Sequence, residues 1–121
     1  MPDEMPPSEP LANGVQSSLH VIAEILRDAK PMGRDVRSVL AELVEELAQF
    51  LAMPSPPPSE VAHLAESTAN LTRAVHRGAA PGVLATARDR VEVALLAVET
   101  KAPLLAGLAR RLLDTLGNLG I

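Results

Sequence analysis

The side chains in this chain that can do chemistry near neutral pH are three histidines, His20, His63 and His76, and the carboxylates within reach of them. Glu60-x-x-His63 has the spacing of half a carboxylate-bridged metal site, in which a glutamate and a histidine one turn apart face the interior of a helical bundle. A complete site of that kind takes a second such pair and further glutamates, and no second E-x-x-H occurs. The apolar seam of the surrounding segment runs through Val61 and Leu64, which leaves Glu60 and His63 on its flanks. A solvated pair near a helix start is therefore preferred to a metal-binding bundle. His20 and Glu24, four residues apart, read the same way. Glu42, Glu45 and Glu46 supply neighbouring carboxylates, but general acid–base work needs a pocket that perturbs their acidity, and a solvated acidic face explains them with fewer assumptions.

The remaining catalytic signatures are missing. Cysteine is absent, which removes disulfides, thiolate nucleophiles and cysteine-ligated zinc. The seven glycines are scattered, with no phosphate-binding loop among them, and no serine stands in a nucleophile-elbow context. With Phe50 the single aromatic residue, stacking on bases or sugars has no platform. The expectation is a protein that is not an enzyme, with no catalytic residues, no cofactor, no metal, no small-molecule ligand and no nucleic-acid partner.

The elements that would carry these residues are helices. Ala and Leu dominate, while the aromatic and Thr-rich runs of strands are lacking. A chain of 121 residues can bury a core without staples. Residues 1–12, acidic and holding Pro2, Pro6, Pro7 and Pro10, predict a disordered tail. Residues 13–53 predict a helical hairpin, its first helix starting between Asn13 and Ser18 and broken by Pro31. Its second helix, from about Gly33, has Val36, Leu40, Leu43, Val44, Leu47 and Leu51 on one face. Residues 54–59 form a proline-rich linker, an extended spacer that also contains P-x-x-P spacing. Residues 60–121 are helical, with a seam of Val61, Leu64, Thr68, Leu71 and Val75, a helix end at Gly78, and a break near Pro103. The fold class predicted is all-α without sheet, a small antiparallel helical bundle built from helical hairpins with coiled-coil-like seams.

Charge is unevenly distributed. Residues 1–60 carry ten acids against four bases, and residues 61–121 carry seven bases against five acids. A net acidic chain without a dense basic run is a poor match for nucleic-acid phosphates. No window is apolar enough to span a bilayer, and the acidic, proline-rich start is unlike an export signal, so a cytoplasmic location is expected.

The close of the chain, from Arg90 through Glu99, Ala102-Pro103-Leu104-Leu105 and Leu108 to Ile121, resembles that of a small bacterial family, the domain of unknown function numbered 4404. The helix from Leu40 to Leu51 resembles the leucine- and glutamate-rich first half of the same family, so that the resemblance extends over residues 19–121. Lys101-Ala102 before Pro103, the N-terminal tail and the proline linker depart from the family's pattern. The resemblance implies a short helical protein and carries over no catalytic residues.

Apolar positions exceed what a small bundle needs to cover. The leading expectation is a self-associating interaction or scaffold module, a homo-oligomer or the partner of another helical protein, whose interface is the stripe Leu105, Leu108, Leu112, Leu116 and Leu119 or the seam from Val61 to Val75. The alternative is a peripheral membrane protein whose last helix lies among headgroups with Arg110 and Arg111 toward anionic lipid.

Overall fold

The structure, a computed structural model, describes residues 9–28 and 33–121. These residues form α1 (Glu9–Arg27), α2 (Arg34–Ala52), α3 (Ser59–His76), α4 (Pro81–Val98) and α5 (Pro103–Asn118), with no strand among them. The chain ends helices where its punctuation predicts. Gly78 takes a φ of 65° after α3, so that the Ala79 N–H reaches back to the Ala74 carbonyl at 3.0 Å and the Gly78 N–H to Val75 at 3.1 Å. Gly120 repeats this motif after α5, with a φ of 79° and an Ile121 N–H to Leu116 bond of 2.9 Å. Pro81 and Pro103 each stand in the first turn of a helix, where a missing N–H costs nothing. The break near Pro103 is thus a fresh start, and residues 60–121 resolve into parts of three helices.

The first helix differs from expectation. It begins at Glu9, not between Asn13 and Ser18. Pro10 is tolerated in a first turn, and Leu11 and Ala12 are half-buried, which favours the extra turn. Residues 1–8 of the expected tail and the expected break at Pro31 lie outside the described residues.

Each helix has two principal neighbours, and together they close a ring in the order α1–α3–α4–α5–α2–α1. Contacts near the helix ends fix the directions. Leu119 lies 3.8 Å from the Cβ position at Gly33, Arg88 near the start of α4 reaches Ile121 beyond α5, and Glu60 reaches Lys101, which set antiparallel pairings of α2 with α5, α4 with α5, and α3 with α4. Asp28 and His76, 3.7 Å apart, bring the C-terminal ends of α1 and α3 together. These two helices therefore run parallel, one such pair within the all-α, largely antiparallel bundle that was expected, and the reason is geometric. A ring of five cannot alternate direction all the way round, so one neighbouring pair must agree.

Placing α1 between α2 and α3 leaves the α2–α3 connection to cross a diagonal of the ring, roughly 13–16 Å. Six residues, Met53 to Pro58, do this. Fully extended in polyproline geometry they would span about 19 Å, and the bends at Met53 to Ser55 bring this down toward the diagonal. Pro57, the second proline of the P-x-x-P motif, is buried, so the linker is part of the packing and not a free ligand for another module.

Inside the ring the side chains are aliphatic. Val36 and Leu40 of α2, Leu71 and Val75 of α3, and Leu112 and Leu116 of α5 meet with no room for a water molecule between them. Small residues on the sides of α3, Ala65 and Ala69 on one and Ser67 and Ala74 on the other, are buried and let α1 and α4 approach closely. The Thr72 hydroxyl donates to the Thr68 carbonyl at 2.7 Å, whereas the Thr68 hydroxyl is buried without a hydrogen-bond partner.

Candidate functional site

The apolar stripe expected to form an interface is interior. Leu105, Leu108, Leu112 and Leu116 are buried, and of the five only Leu119 is exposed, at 51%. The physical reason is the ring: α2 and α4 flank α5, and Leu71 and Val75 of α3 close over it from within. The stripe needs cover, as its width predicts, and the cover comes from the same chain. The last helix thus turns its leucine stripe inward and leaves only Leu104 and Leu119, at opposite ends, exposed among its large apolar residues, and the basic pair expected to meet lipid is engaged. Arg110 reaches Glu99 at 2.8 Å and Arg111 reaches Glu42 at 3.4 Å.

The metal half-site is likewise separated. The Glu60 carboxylate accepts a hydrogen bond from the Lys101 ammonium at 2.9 Å, which ties the start of α3 to the α4–α5 turn. That bond, helped by the residue's own backbone N–H, holds the Glu60 carboxyl below its ordinary value. His63 is exposed beside the groove between α1 and α3. His20 pairs with Glu24 at 2.6 Å on the open surface. Among the described residues no three His, Cys, Asp or Glu side chains gather where they could hold a metal ion.

The structure draws attention instead to α4. Its inner face is Val91, Ala94, Leu95 and Val98, all buried. Its outer face carries a second set of apolar residues two positions later, Val93, Leu96 and Ala97, at the i, i+3, i+4 spacing of one helix side. Val93 is 65% exposed and Leu96 55%. The neighbours of α4 leave this side open, because α3 lies along Thr86 and Arg90 while α5 is held by Arg88 and Glu99 on the opposite flank. Arg88 fixes that flank by donating from Nη1 to the Ile121 carbonyl at 2.9 Å, beyond the end of α5. A sequence signal for this face existed: between Val91 and Val98 the apolar residues occupy more than half a turn, too many for one buried side.

A family model, that of a domain of unknown function, matches residues 36–121. The match opens at Val36 in α2, so α1 falls outside it, whereas the resemblance was expected to reach residue 19. The proline linker, expected to be an addition, lies within it. No curated protein and no solved structure matches the chain.

Proposed function

Since the chain belongs to the family Domain of unknown function (DUF4404), we propose that it is a non-enzymatic helical module that pairs with a second copy of itself through the outer face of α4. The observation that carries this reading is the exposure of Val93 and Leu96 on a helix whose other apolar face is already buried. In a twofold pair the same stripe meets itself, so one apolar side suffices for both partners. A single-helix contact is small beside the ~1,600 Å² of a standard interface, so the association is weak and concentration-dependent. The non-catalytic part of the reading is supported by the titratable side chains, which the fold uses in surface ion pairs: His20 with Glu24, His76 with Asp28, Lys101 with Glu60.

Light scattering over a concentration series tests it. The full chain is expected to shift from monomer to dimer, and Leu96→Glu to stay monomeric with an unchanged melting temperature. A full chain that remains monomeric at every concentration sinks the reading.

A further inference from the structure

A groove of about 390 Å³ runs between α3 and α4, on the flank of α4 away from α5. Three arginines line it, Arg73 in the last turn of α3, Arg77 just past its end, and Arg90 across from them on α4. None of the three has a carboxylate within ion-pair distance among the described residues, and no acid lines the groove. This is unusual for a chain with more acids than bases. Two like charges one turn apart repel, and the C-terminal carbonyls of α3 offset this only in part, with no described carboxylate beside either arginine. Asn70 adds an amide between the two helices. The groove also takes in Gly82 and Val83, the first turn of α4, which has neither a side-chain cap nor an acidic residue. Nothing stands within 4 Å of the position a Cβ would occupy at Gly82, so a ligand can approach that backbone.

We infer that this groove binds an oligoanion of the diphosphate class, held by the guanidinium groups of Arg73, Arg77 and Arg90. Guanidinium forks match phosphate oxygens two at a time, and three exposed guanidinium groups around one groove suit a ligand carrying two or three negative charges better than a single carboxylate. Recognition is of the phosphoryl groups, since the groove has no aromatic ring on which a base could stack. The inference is independent of self-association, because the groove lies on the α3 side of α4 and the Val93–Leu96 stripe faces outward.

The test uses the full chain and inorganic pyrophosphate, with inorganic phosphate and sulfate as comparators at constant ionic strength. Pyrophosphate is expected to raise the melting temperature saturably, to outbind the other two anions, and to shift the Gly82 and Val83 backbone amide resonances. A variant combining Arg73→Gln, Arg77→Gln and Arg90→Gln should lose about tenfold or more in affinity. The pair Arg34→Gln and Arg37→Gln, on α2, should leave affinity unchanged. Absence of a saturable response up to about 10 mM overturns the inference, given that weaker binding corresponds to less than about 3 kcal/mol. An equal loss in the α2 pair also overturns it, since that outcome reports general charge screening.

Discussion

α4 and α5 are consecutive helices of similar composition, and they use their apolar residues in opposite ways. On α5 the leucines form one stripe, and the ring buries it from Leu105 to Leu116. On α4 the apolar residues are spread around the helix, with Val91, Leu95 and Val98 inside and Val93 and Leu96 outside. The sharply amphipathic helix is therefore the one whose main apolar stripe is used within the chain, with Leu104 at its start and Leu119 at its end left exposed. The less sharply patterned helix is the one with surface to spare. A clean stripe predicts burial, but it does not predict which molecule provides the cover; an apolar surplus on the second face is the better sign of a missing partner.

Substitutions can break this contrast, the largest effect first. Leu112→Glu puts a charge into the closed interior of the ring and should cost more than about 4 kcal/mol, enough to unfold the chain, as read by far-ultraviolet circular dichroism. If Leu112→Glu instead gave a folded monomer, α5 would be the exposed helix and the comparison would be reversed. Within α4, Leu95→Ala should cost about 2–4 kcal/mol in urea unfolding, whereas Val93→Ala should stay within about 0.5 kcal/mol. Equal costs at Leu95 and Val93 would show that α4 has no free side. At the seam between α3 and the ring interior, Thr68→Val replaces a buried hydroxyl that lacks a partner, and should stabilise the fold by about 1 kcal/mol in the same assay.

The smallest effect is at the turn that joins the two helices. Glu60, held by Lys101, has a folded-state acidity below the ordinary 4.5. Its contribution to stability is complete above that value and is lost as pH falls through the lowered one. Melting temperature should therefore show a shallow acid-side decline that Glu60→Gln reduces, because glutamine does not titrate. An identical decline in both proteins would remove Glu60 as its source.

Much of the ring was legible in the residues. The periodicity of Val36 to Leu51 and of Leu105 to Leu116, the prolines at 81 and 103, and Gly78 fix helices and ends through local rules that need no tertiary information. The start of α1 was not legible, because Pro10 reads as a tail residue until Leu11 and Ala12 are seen to pack. The direction of α1 beside α3 was hidden too, since hairpin reasoning pairs consecutive helices and this contact skips α2. Of the candidate site, Arg73 and Arg77 are visibly one turn apart in the sequence, but Arg90 joins them only when α4 folds back along α3. The stripe from Leu105 to Leu116 was correctly seen to need cover, and periodicity alone could not say that α2, α3 and α4 would supply it.

The run from Met53 to Pro58 acts as a gauge for the number of helices the ring admits. At two residues shorter it would reach about 12 Å, enough for a single helix spacing. α3 would then be drawn against α2 and the berth of α1 would close, leaving Val15, Ile22 and Ile25 with nothing to cover them. A chain so shortened should be cut by protease between Glu9 and Arg27 while residues 34–118 resist. The reach of this proline-rich run thus favours a five-membered over a four-membered closure, and leaves the first helix its place in the molecule.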